Sequence, residues 1–152
     1  MKKNILIIDD NPTKAERIKT TLQSIYKDTR FSIQSNYNAA IDFINRNYNY
    51  NLTNDDDKTK ISFIVLDWMF PRYPGGPVNP EMGEEVIQEI FERDMDIPVI
   101  ICSSNEIRLN EEDVIGEIVY DESSDLKTKF VEILGQENID RDNEEESVVK
   151  KI

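Results

Sequence analysis

The stretch Asn4-Ile5-Leu6-Ile7-Ile8-Asp9-Asp10-Asn11-Pro12 decides the architecture. A short apolar run, rich in β-branched residues and closed by acids, reads as a strand buried on both faces, as in a parallel sheet. Asn11 then offers a helix N-cap and Pro12 suits the first helical position. Ala15, Ile18, Leu22 and Ile25 follow at three- and four-residue steps, which predicts a helix of about four turns with one face on the sheet. The apolar run ends at Asp9-Asp10, too soon for a signal-peptide core or a membrane span.

The same alternation recurs along the chain. Phe31 to Ser35 forms a second strand, and Ala39, Ala40, Phe43 and Ile44 mark a second amphipathic helix. Asn45 to Lys60 is polar, rich in Asn and Asp, and reads as a surface loop. Ile61 to Leu66 is the next buried strand and ends at Asp67. Trp68 to Met82 holds four prolines and two adjacent glycines, so no helix runs through it. Helical spacing resumes over Gly83 to Arg93 through Val86, Ile87, Ile90 and Phe91. Ile97 to Cys102 is a fourth strand, ended by Ser103-Ser104. Asn110 is placed to cap one helical turn ending near Gly116, before a fifth strand through Ile118, Val119 and Tyr120. Leu126, Phe130, Ile133 and Leu134 mark a last helix stopped at Gly135. From Gln136 the tail carries six acids and three bases with few apolar residues, and is expected to be disordered.

Strand-helix alternation five times over predicts an α/β fold, a doubly wound five-stranded parallel sheet, (βα)5. Right-handed crossovers place helices on both faces, and ligands sit at the carboxyl ends of the strands. Residues 1–135 form the expected domain and 136–152 the acidic tail. At 152 residues the chain buries roughly 70% of its unfolded surface, enough for one core without staples.

With 18 Lys plus Arg against 31 Asp plus Glu, the formal charge is −13, which argues against direct nucleic-acid binding. The single cysteine, Cys102, forms no intrachain disulfide, and together with the missing leader this reads as a soluble cytoplasmic protein rather than a membrane or secreted one.

Three strand ends carry polar side chains: Asp9 and Asp10 after the first, Asp67 after the third, Ser103 and Ser104 after the fourth. Each alone has a bland reading, as a helix-terminal acid pair, a loop acid or a turn. Together they converge on one crevice. Clustered carboxylates repel unless a hard cation or shared protons compensate, and oxygen-only ligands favour Mg²⁺. A chain with no His and one Cys makes zinc or copper an unlikely guest.

Asn4 to Pro12, Ile64-Val65-Leu66-Asp67-Trp68-Met69-Phe70-Pro71 and Ile97 to Ser104 resemble the receiver domain of two-component response regulators, over about residues 3–135. The resemblance implies a flavodoxin-like domain that accepts a phosphoryl group from a histidine kinase or phosphotransfer protein on Asp67. It implies Mg²⁺ held by Asp9, Asp10, Asp67 and the Met69 carbonyl, and a switch hydroxyl at Ser103. It also implies a signalling module rather than an enzyme, catalysing at most transfer to its own aspartate.

Three departures accompany the match. The family ends its fifth strand with a lysine before a proline, whereas Tyr120 and Asp121 stand there. Asp67 thereby loses a cationic partner from that strand, and a phosphoryl oxygen loses a charge-assisted bond. Lys127 and Lys129, a turn or two later, are weak substitutes. The family's aromatic switch aligns with Glu117, and a shift of one or two residues brings Tyr120 near it. The proline-rich loop 70–82 is an insertion, with Met82-Gly83 matching the family's helix opening; it reads as a lid, a docking surface or a tolerated extension.

The favoured expectation is a stand-alone receiver that signals through contacts with a downstream protein, because only seventeen residues follow the domain. Receiver relatives often dimerise, so a homodimer is within the expectation. The alternative is a phosphorylation-independent pseudo-receiver, an interaction module. A small phosphatase would need a further catalytic acid or base beside Asp67. Trp68 lines the pocket, reports on it or covers its rim. Cys102 reads as a buried hydrophobe, Asp55-Asp56-Asp57 as a solvated loop, and Glu144-Glu145-Glu146 as a solubilising tail. Asn51-Leu52-Thr53 is a glycosylation triplet without a secretory context.

Overall fold

In a computed structural model, the structure describes residues 2–49, 60–107, 113–123 and 125–151, with side chains as far as Glu144. The readings at Asn51–Thr53, Asp55–Asp57 and Asn110 lie outside the described residues.

The strands of the main sheet are β1 (Lys3–Ile8), β2 (Thr29–Gln34), β3 (Phe63–Leu66), β6 (Val99–Ser103) and β7 (Val114–Val119). They pair in parallel in the order β2-β1-β3-β6-β7. Five helices accompany them: α1 (Pro12–Ile25), α2 (Tyr37–Arg46), α3 (Met82–Glu92), α4 (Leu126–Leu134) and α5 (Gln136–Lys151). This is the flavodoxin-like α/β arrangement.

The central strands are aliphatic throughout because successive side chains enter different cores. Ile5, Ile7, Phe63, Val65, Ile100 and Cys102 face a core with α1, α4 and Ile139 of α5. Leu6, Ile8, Ile64, Leu66, Val99 and Ile101 face the core of α2 and α3. β1 lies between β2 and β3, and the chain turns to opposite faces on leaving it and on leaving β2. The crevice at the ends of β1 and β3 is therefore the switch point of the sheet.

Local chemistry sets the ends of the helices. Asn11 accepts from the N–H groups of Thr13 and Lys14, Asn36 from Ala39, and Asp125 from Thr128. Gly135, at φ +84°, ends α4 in a backbone conformation that side chains rarely adopt.

Three sequence expectations are corrected. Gly116 does not end a helical turn: it lies inside β7, which starts at Val114 and pairs with Val99 to Ser103. Of the crossover from β6 to β7, the structure describes residues 104–107 and 113, and these carry no helix. Phe91 does not join the apolar face of α3, being 67% exposed while Val86, Ile87 and Ile90 are buried.

The acidic tail is the third correction, for it forms α5. Ile139 is buried, Lys3 Nζ pairs with Asp142 at 2.8 Å, Asn143 accepts from the Lys27 N–H, and its amide donates to the Ile25 carbonyl. One apolar residue and one Asn a turn later suffice because they cap the exposed end of α1.

The proline-rich insertion is a two-stranded antiparallel hairpin, β4 (Phe70–Pro71) with β5 (Val78–Asn79). Phe70 is buried in the α2–α3 core, and the Asn38 N–H donates to the Arg72 carbonyl. The Arg72 guanidinium lies 5.1 Å from the Tyr37 ring and 2.7 Å from Glu85 Oε2, strapping the hairpin across α2 and α3.

Candidate functional site

The crevice brings together acids that are remote in sequence. Asp9, Asp10 and Asp67 each place a carboxylate oxygen within 4.8 Å of the others. They meet because Ile8 pairs with Leu66, so the residues after β1 and β3 leave the sheet side by side.

Asp9 is buried at 2% exposure, and its Oδ1 accepts from the Asn11 N–H at 2.9 Å. Asp67 Oδ1 accepts from the Trp68 N–H at 2.8 Å. Burial raises the Asp9 carboxyl to about 6, helped by the charge of Asp67 and opposed by Lys14 and the Asn11 N–H. Burial also raises Asp67, with Lys14 and the Trp68 N–H working against it. Crowded, partly dehydrated carboxylates of this kind attract a cation.

One cation is already there. Lys14, on α1, is 4% exposed, and its Nζ lies 3.0 Å from Asp9 Oδ2, 3.2 Å from Asp67 Oδ1 and 2.7 Å from the Cys102 carbonyl oxygen. Burial alone would lower its pKa, but Asp9 and Asp67 outweigh burial and leave the ammonium above its ordinary value. The expectation that Asp67 lacks a lysine partner is thus corrected, since the cation comes from the first helix rather than from the fifth strand. The suggested substitutes do not supply it: Lys129 Nζ bonds the Val119 carbonyl at 3.2 Å, and Lys127 is exposed.

Sequence reasoning missed Lys14, although a signal existed. Positions 14, 18 and 22 step by four along the buried stripe of α1, so a lysine continues the line of Ile18 and Leu22 toward the strand ends. Tyr120 stands just past β7; its ring centroid is 5.3 Å from Lys14 Nζ and 5.4 Å from the Arg17 guanidinium carbon, and its N–H donates to the Ser103 carbonyl. Glu117 accepts from the Ile107 N–H.

Ser103 closes β6, 4% exposed, and its Oγ makes a long 3.4 Å contact with the Asn105 N–H. Met69, two residues beyond Asp67, is 40% exposed. Trp68 packs on Gly83 and borders the α2–α3 core, which favours its role as a cover of the rim.

Oxygen donors dominate the cluster, and Asp9 Oδ2 is buried, with only the Lys14 ion pair and no donor aligned on it in hydrogen-bond geometry. Such a donor set fits a hard divalent ion such as Mg²⁺.

No protein-family model and no curated protein sequence matches the chain. Solved structures do match it in fold. The signal receiver domain of a LuxO repressor protein from Vibrio parahaemolyticus aligns over 97% of this chain and 98% of its own, at 17% identity and TM-score 0.62. The response regulator TrrA from Thermotoga maritima in complex with Mg²⁺-BeF aligns over 87% and 99%, at 22% identity and TM-score 0.55. A complex of histidine kinase ThkA with TrrA aligns over 88% and 99%, at 21% identity and TM-score 0.54. With the strand order, the two-faced core and the strand-end acids, these likenesses show that the chain has the fold of the CheY-like receiver domains of response regulators.

Proposed function

We propose that this protein is a phosphoacceptor signalling module in which Asp67 receives a phosphoryl group and the altered surface is read by another protein. The observation that carries the reading is the convergence of Asp9, Asp10 and Asp67 at the ends of β1 and β3. Both described bonds to Asp67 fall on Oδ1, which leaves Oδ2 to act as nucleophile.

Asp9, Asp10, Asp67 and the Met69 carbonyl would hold Mg²⁺. When bound, the ion supplies positive charge against the phosphoryl oxygens, which is what such transfer needs more than a strong base. The Trp68 N–H fixes the carboxylate, and the Ser103 hydroxyl, at the end of the adjacent strand, is the donor that moves to the phosphoryl group. Its slack contact with Asn105 leaves it free to do so. A histidine kinase is the donor class this reading implies, as in the ThkA complex of TrrA. No described helix is long and apolar enough to cross a membrane, which is compatible with a cytoplasmic donor.

A second reading, a phosphorylation-independent interaction module, draws on one observation. The positions in and just past β7 expected to carry the switch hold Glu117, tied to Ile107, and Tyr120, whose ring lies against Lys14 of α1.

The test follows Trp68 fluorescence while Mg²⁺ and then beryllofluoride, a stand-in for the phosphoryl group, are added to wild type and Asp67→Asn. Saturable responses to both in wild type, with the second lost in Asp67→Asn, support the phosphoacceptor. A response to Mg²⁺ alone, with calorimetry detecting no beryllofluoride binding, selects the second reading.

A further inference from the structure

Lys14 is placed more tightly than charge balance alone requires. The Lys14 ammonium donates to Asp67 Oδ1 and to the Cys102 carbonyl, and forms an ion pair with Asp9 Oδ2 at 3.0 Å. These partners belong to the ends of β1, β3 and β6, so one side chain spans the crevice. Three carboxylates facing one divalent ion would leave one negative charge over, which Lys14 would cancel.

We propose that Lys14 is this protein's phosphoryl-binding lysine, delivered from the first turn of α1 because Tyr120 occupies the end of the fifth sheet strand. The inference rests on the phosphoacceptor reading of Asp67. With an acyl phosphate as donor, a lone pair of Asp67 Oδ2 forms the new O–P bond. The bond from phosphorus to the donor oxygen breaks, its electron pair leaves on the donor carboxylate, and no proton moves. Asp67 Oδ1 thereby changes from a carboxylate oxygen into the carbonyl oxygen of a mixed anhydride, a weaker acceptor. The N–H of Lys14 that held it turns to the neighbouring phosphoryl oxygen, where a charge-assisted bond is stronger. The ion pair with Asp9 and the hydrogen bond to the Cys102 carbonyl keep the ammonium in place, and the Tyr120 ring covers it 5.3 Å away. A strand-end lysine and Lys14 would compete for the same space, which accounts for a tyrosine there.

The test uses the full chain with Mg²⁺ and acetyl phosphate. The phosphorylated fraction and its decay are read by intact mass, and Mg²⁺ affinity is read separately by calorimetry. Wild type, Asp67→Asn, Lys14→Met and the relocated pair Lys14→Met with Tyr120→Lys are compared. Expected are a labelled wild type, an unlabelled Asp67→Asn, and Lys14→Met labelled about a hundredfold more slowly with Mg²⁺ affinity equal to wild type or tighter. The relocated pair should recover most of the lost rate, a recovery that a purely structural lysine would not produce.

Lys14→Met labelled and hydrolysed at wild-type rates overturns the assignment while leaving the phosphoacceptor standing. An unlabelled wild type overturns both. Should Lys14→Met fail to fold, the relocated pair decides: labelling near wild type supports the assignment, and a folded, unlabelled pair overturns it.

Discussion

Gly83→Ala offers a test of how the loop after Asp67 is seated. Gly83 opens α3 against Trp68, and its N–H donates to the Trp68 carbonyl at 2.9 Å. A methyl group there would lie 2.6 Å from Trp68 Cε3 and 2.9 Å from both the Trp68 Cα and its carbonyl oxygen, where ordinary contact begins at 3.4 Å. Two of those three atoms are backbone, so no rotamer change relieves the overlap. The helix start and the loop must separate by about half an ångström, which costs about 1–3 kcal/mol as overpacking. Weakening the hydrogen bond adds about 1 kcal/mol, and the gain in helix propensity returns at most about 1 kcal/mol. The net is about 2 kcal/mol, a fall in Tm of about 4–8 °C for a domain of this size.

Circular dichroism melts give the Tm, and Trp68, the sole tryptophan, reports the local shift by its emission. Because the Trp68 N–H holds Asp67 Oδ1, Mg²⁺ affinity should fall as well. Gly76→Ala is the control: its methyl would meet only the Tyr73 ring at 2.8 Å, and that side chain is 52% exposed and free to swing away. It should cost less than about 0.5 kcal/mol. A Gly83→Ala protein with wild-type Tm and emission would refute the reasoning.

Other outcomes follow from the same packing. Gly116→Ala would put a methyl group 2.6 Å from Ile133 Cγ2, costing about 1–3 kcal/mol; with Ile133→Ala added, the double variant should be more stable than the sum of the singles, and simple additivity in urea denaturation would count against this contact. Deleting 136–152 uncovers Ile25 and Tyr26 and removes buried Ile139, so the urea midpoint should drop, and Ile139→Ala alone should cost about 2–3 kcal/mol; an unchanged midpoint would mean a detached tail. Cys102 is buried, and burial raises its thiol to about 12 from an ordinary 9. Iodoacetamide should therefore label it at pH 8 only as fast as the protein unfolds. Because the unfolded thiol ionises first, stability should also fall as pH rises from about 9 toward 12, relative to Cys102→Ala.

Much of this protein is written locally. The aliphatic run of β1, the Asn11-Pro12 helix start and the four-residue steps of α1 report their own structure, because a strand buried on both faces and an amphipathic helix each need a distinctive side-chain pattern. Repeated along the chain, they lead to the doubly wound sheet, and the sheet leads to Asp9, Asp10 and Asp67. Tertiary packing decided the rest. The 136–151 segment looks too polar to fold, and is helical because Ile139 and Asn143 find the open end of α1. Gly116, which reads as a helix stop, is a strand residue paired with Ile100, and it is glycine because Ile133 packs where a side chain would be. Lys14 reads as one more surface lysine, and becomes the buried cation of the crevice only when the end of α1 is brought over the ends of β3 and β6. An ionic contact across 53 residues leaves no periodic trace in a sequence, since it depends on where two elements meet and not on how either one forms.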